Sequence, residues 1–134
     1  MYVVKEMKII ERKKYLDELR SLKNKPDIKI ITGVRRAGKS MLLSEYIKTL
    51  KRIEEDANII LVDFNRILFD EIKEYKKLNA HIRERFMPNV NNYVFIDEVQ
   101  MCEKFELAVN DLYESKEFDI YITGSKASLI LLYP

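Results

Sequence analysis

The apolar residues of this chain change period along its length, and each change marks an element. Tyr15, Leu16, Leu19 and Leu22 recur at three- and four-residue steps, which predicts a short amphipathic helix over 11–23, closed by "NKP". "DIKIIT" at 27–32 is a compact β-rich run. From Ser40 onward Leu42, Leu43, Tyr46, Ile47, Leu50 and Ile53 return to helical spacing, with Lys48, Lys51, Glu54 and Glu55 between them. "NIILVDF" at 58–64 is apolar almost without interruption, as a strand covered on both faces of a parallel sheet must be. Leu68, Ile72, Tyr75, Leu78, Ile82 and Phe86 predict one helix over 67–86, ended by Pro88 and "NVNN". "YVFID" at 93–97 reads as a third strand, 103–115 as a helix, and "DIYIT" at 119–123 as a fourth strand, after which "LILLY" begins another apolar element.

Strands alternating with helices define an α/β fold of right-handed βαβ units, a parallel sheet between two layers of helices. A length of 134 residues suits one domain over 1–134 and buries roughly two-thirds of the unfolded surface. Apolar residues are 47% and charged residues 34%, a globular rather than a disordered mix. The net charge of +2 predicts no strong general pull toward nucleic acid, leaving only local patches for it. Apolar runs fall far short of the roughly 18 residues that cross a bilayer, and the N-terminal segment is too charged for a signal peptide. No membrane is implied, and the expected location is the cytoplasm. Cys102 is alone, which excludes an intrachain disulfide and a multi-cysteine metal site and reads as a small buried hydrophobe.

Two of only three glycines fall in "GVRRAGKSMLL", between the first strand and the helix from Ser40. Gly33, Gly38, Lys39 and Ser40 match G-x-x-x-x-G-K-[ST] in the strand–loop–helix setting that the motif requires. Glycines let successive N–H groups turn around a phosphate chain, and the helix start adds unpaired donors and a positive dipole end. The expected nucleotide loop is Gly33, Val34, Arg35, Arg36, Ala37, Gly38, Lys39, Ser40 and Met41, with Lys39 on the β- and γ-phosphates and Ser40 on Mg²⁺. Arg35 and Arg36 read equally as nucleotide-facing, subunit-facing, solvated or carboxylate-paired.

"YVFIDE" ends in two carboxylates, and ligands of open parallel sheets sit at the carboxyl ends of strands. Asp97 suits Mg²⁺, and Glu98 suits the water that attacks the γ-phosphate, whereas an acidic pair alone is commonly just a solvated turn. "ITGS" brings Thr123 and Ser125 to the same edge, where one hydroxyl would sense the γ-phosphate; the bland alternative is an ordinary turn.

Taken in order, "GVRRAGKSMLL", "YVFIDEVQ" and "IYITGSKASLI" resemble the prokaryotic AAA-type P-loop ATPases that usually carry a poorly characterised C-terminal domain. The resemblance covers nearly the whole chain. It implies Gly33 to Ser40 as the nucleotide loop for ATP, Asp97 and Glu98 as the metal and water-activating acids, and Thr123 or Ser125 as the sensor. It also implies the three-layer P-loop fold, with the four strands above in sheet order 1-4-3-2. The chain departs from the family after the fourth strand, where the fifth strand, the arginines that follow it and the C-terminal domain are missing. Without that strand "DIKIIT" is a bare edge, which self-association or the N-terminal segment must cover.

His81, among charged neighbours on a helix, reads as a solvated residue, and "KEYKK" and "ERKK" as solvated helix faces. The leading function is an ATP-binding core whose Mg²⁺-dependent hydrolysis drives a conformational change in a partner protein. The alternative is a nucleotide-binding module without appreciable turnover, since the arginine-bearing segment is absent. A phosphotransferase acting on a small hydroxyl acceptor is the third reading, but that class usually needs an arginine-bearing lid and no arginine follows residue 126.

Overall fold

The computed structural model describes residues 4–8, 12–21, 23, 27–32 and 38–132. Its strands are β1 (Val4–Lys8), β2 (Ile28–Thr32), β3 (Asn58–Asp63), β4 (Asn92–Asp97) and β5 (Asp119–Thr123). Its helices are α1 (Arg12–Ser21), α2 (Lys39–Ile53), α3 (Tyr75–Arg83), α4 (Phe105–Ser115) and the short α5 (Lys126–Leu129), with 3₁₀ turns at Ile67–Ile72, Val99–Met101 and Ile130–Leu132.

The strands form one parallel sheet in the order β1-β2-β5-β4-β3. The four strands read from the sequence are β2, β3, β4 and β5, and they stand in the expected order 1-4-3-2. The open edge of β2 is covered by the N-terminal segment, with Val4 opposite Ile28 and Lys8 opposite Thr32. The sheet thus has a fifth strand, contributed from before the first predicted strand and not from after the fourth.

Residue parity sorts the two cores, because successive side chains of a strand point to opposite faces. Even positions, among them Ile28, Ile30, Ile60, Val62, Val94, Ile96, Ile120 and Ile122, pack against Leu78 and Ile82 of α3 and Phe105, Val109 and Leu112 of α4. Odd positions Ile31, Tyr93, Phe95 and Tyr121 pack against Leu42, Leu43, Tyr46, Ile47 and Leu50 of α2 and Leu19 of α1. Phe95 and Tyr121 stack with ring centroids 4.8 Å apart, and Tyr46 meets Phe95 edge-on. Three layers follow directly from the near-continuous apolar strands.

The single helix expected over 67–86 is two elements. Glu74 adopts extended backbone, and its carboxylate accepts from the N–H groups of Lys76 and Lys77, which starts α3 anew. Lys73 O accepts from Glu103 N at 2.9 Å, and Glu74 pairs with Glu103 as an isolated bridge. A tertiary backbone contact thereby overrides helical spacing, and Ile67 and Leu68 are left 85% and 74% exposed. The described part of "LILLY", 129–132, is the end of a short helix and a 3₁₀ turn, with Leu129 and Leu132 in the core and Ile130 and Leu131 outside.

Candidate functional site

Odd parity also builds the site. Positions 93, 95 and 97 of β4 and 119, 121 and 123 of β5 face α2, so Asp97 and Thr123 meet the first turn of that helix at the carboxyl edge of the sheet. Asp97 is buried, and its two oxygens take one hydroxyl each: Ser40 Oγ donates to Oδ2 at 2.5 Å, and Thr123 Oγ1 donates to Oδ1. Hydroxyl donors on both oxygens offset the desolvation of the carboxylate. Thr123 Oγ1 accepts in turn from Glu98 N at 2.9 Å, so one buried hydroxyl joins β5 to both acids.

Gly38 stands at the start of α2 with φ 81° and ψ 32°, a left-handed conformation that favours glycine even though a Cβ there would meet nothing within 4 Å. No side chain among the described residues caps this helix, and its first turn holds no acid. Its leading N–H groups therefore have no side-chain partner among the described residues and lie at the helix end that bears positive partial charge. Lys39, only 6% exposed, directs its ammonium to Gly124 O at 3.3 Å and Glu98 Oε1 at 3.8 Å. Glu98 itself has left-handed backbone, φ 56° and ψ 54°, which turns the chain out of β4 into the 3₁₀ turn.

The structure brings Lys39, Ser40, Asp97, Glu98 and Thr123 together. Met41 follows in the same helical turn with its side chain exposed. Ser125 is exposed and caps α5, donating to Ser128 Oγ at 2.8 Å and accepting from Ser128 N. Gly33, Val34, Arg35, Arg36 and Ala37 lie outside the described residues. Gln100, quoted in "YVFIDEVQ" for the resemblance but given no role from the sequence, donates its amide to Glu98 Oε2 at 2.5 Å; its position two residues past the acid was the available signal.

His81 packs edge-on against Phe69, and burial, then Arg85, holds its pKa below the ordinary histidine value. Cys102 is buried, and burial followed by Glu74, Glu106 and Glu103 pushes its thiol up to about 12, so it behaves as a hydrophobe. No cluster of three or more His, Cys, Asp or Glu among the described residues forms a metal cage. The adjacent oxygens of Ser40 and Asp97 nevertheless fit Mg²⁺, a hard cation that takes one or two protein ligands and fills its shell with phosphate and water.

A parallel three-layer sheet with a glycine-led helix start facing strand-end carboxylates defines the P-loop NTPase class of fold. Residues 25–132 match the AAA domain family, and the chain belongs to it. An uncharacterized protein of Haemophilus influenzae is 37% identical over 125 residues, covering 91% of this chain and 31% of its own length. An uncharacterized protein of Methanocaldococcus jannaschii is 33% identical over 131 residues, covering 96% of this chain and 26% of its own length. The chain thus spans about a third or less of these relatives. No solved structure matches it. No helix among the described residues is long and apolar enough to cross a membrane.

Proposed function

We propose that this chain is the ATP-binding core, over 1–134, of a larger AAA-type ATPase that binds Mg²⁺-ATP, hydrolyses it and passes the resulting conformational change to a protein partner. The observation that carries this reading is the convergence of Lys39 and Ser40, from the start of α2, on Asp97 and Glu98 at the end of β4. The uncapped N–H groups of α2 and the loop 33–40 would cradle the phosphates, and Lys39 would leave Gly124 O for the β- and γ-phosphates. Ser40 and Asp97 would hold Mg²⁺, which supplies charge neutralisation between phosphate oxygens. Thr123, with its hydroxyl committed to Asp97 and Glu98, would fix the acids, leaving exposed Ser125 the better placed of the two to sense the γ-phosphate.

Glu98 would orient the attacking water and accept its proton as the new oxygen–phosphorus bond forms and the bond to the bridging β–γ oxygen breaks. The test is phosphate release under Mg²⁺-ATP. Glu98→Gln is expected to lower the rate by about a hundredfold or more while labelled ATP still binds. Equal rates in the two proteins would refute the role of Glu98. Binding without release by the unaltered chain would support the alternative, a nucleotide-binding module without turnover.

A further inference from the structure

Among the described residues at the site, the polar side chain of Gln100 is used by no part of this mechanism. Its Nε2 donates to Glu98 Oε2 at 2.5 Å, while its Oε1 is buried and has no hydrogen-bond partner among the described residues. The amide orientation is dictated by chemistry, since the flipped form would set its oxygen against a carboxylate. That oxygen lodges against Gly124: a Cβ added there would come within 2.6 Å of it. The glycine in "TGS" thus has a steric reason, the seat of the Gln100 carboxamide.

We propose that Gln100 is a positioning residue for Glu98, an inference that rests on the hydrolytic reading above. The two carboxylate oxygens are divided, with Oε1 toward Lys39 at 3.8 Å and Oε2 held by Gln100. When Lys39 turns to phosphate, Oε1 is released to face water. Oε2 stays fixed by the amide, so the carboxylate keeps its direction instead of swinging with the ammonium. Because the carboxamide also leans on Gly124, whose carbonyl holds Lys39, the direction of Glu98 is tied to the end of β5.

The experiment measures kcat, KM and ATP affinity for the 134-residue chain and for Gln100→Met, Gly124→Ala and their double variant. Methionine keeps the volume and removes the donor, and alanine at 124 displaces the flexible end of Gln100 and presses on the Leu129 side chain at 3.3 Å, with no backbone atom among its near contacts. Each single variant is expected to lower kcat about tenfold or more, with KM and affinity unchanged, as for a misdirected catalytic group. The double variant is expected to match Gln100→Met, because both changes remove one constraint. Unaltered kcat in Gln100→Met, or losses that multiply in the double variant, would overturn the inference while leaving hydrolysis intact. Absence of phosphate release from the unaltered chain would overturn the hydrolytic reading and this inference together.

Discussion

Lys29 sits in the middle of the sheet with its ammonium 2.5 Å from Asp119 Oδ1, and neither side chain reaches solvent to any useful degree. Tyr121 donates to the other oxygen of Asp119 at 3.0 Å, and the single Tyr46 hydroxyl proton is shared between Tyr121 OH and Leu19 O of α1, each at 3.1 Å. Burial first, then the nearby carboxylate, raises the Tyr121 hydroxyl far above its ordinary value, and burial pushes Tyr46 up to about 12, so both stay neutral. Removing one member of a buried ion pair takes away compensation for the desolvated charge of the other. Asp119→Ala should therefore destabilise the fold by about 3–5 kcal/mol in urea unfolding followed by circular dichroism. Replacing both members with apolar residues should cost much less, and an equal loss would contradict the desolvation argument. The pair was readable as opposite charges in "DIKIIT" and "DIYIT", strands expected to be neighbours, yet "DIKIIT" also carries Asp27 and neither run holds a spacing signal that picks out the pair.

At the scale of elements, α2 is fixed at both ends. Its start enters the site, and its end is held by Glu54, which receives Lys23 at 2.8 Å, Tyr93 OH at 3.0 Å and Asn91 at 3.1 Å. Burial pushes the Glu54 carboxyl up, but the bonds from Lys23, Tyr93 and Asn91 more than offset it and hold its pKa below the usual carboxylate range. The folded protein then binds fewer protons at this group than the unfolded chain, so the contribution exists above the unfolded pKa and fades as pH falls through the folded one. Glu54→Gln should lower the urea midpoint at neutral pH, with the difference from the unaltered chain shrinking in acid. A difference that persists below the carboxylate range would show that charge is not the cause.

The helix break at Glu74 shows what spacing hides. Apolar steps of three and four run straight through 67–86, but the pairing of Glu74 with Glu103, distant in sequence, decides where the helix starts. Glu74→Ala should cost about 1 kcal/mol of stability, the ordinary value of an N-cap.

For the whole molecule, four strands were legible because each is a mostly apolar run, and the resemblance supplied their order; β2, β4 and β5 are buried throughout, whereas β3 is an edge strand with Leu61 exposed and not the strand covered on both faces that its composition predicted. β1 was not, since Val4 and Met7 are separated by Lys5 and Glu6 without a period of two. Its role is visible only in the assembled sheet, where it covers β2 along five register pairs. Removing residues 1–9 should leave β2 as an exposed edge and convert the protein to dimers or larger species in light scattering. A truncated protein of unchanged mass would mean that the edge is harmless. Lys39, Ser40, Asp97 and Glu98 were readable from motif spacing. The Gln100 contact was not, because it depends on the left-handed turn at Glu98.

The account stands or falls on whether the start of α2 holds a triphosphate. Calorimetric titration of Mg²⁺-ATP into the unaltered chain and into Lys39→Ala tests this most directly. Saturable binding is expected of the first and its loss, or a weakening of about a hundredfold or more, of the second. Equal affinity in both, or no binding by the unaltered chain, would contradict it.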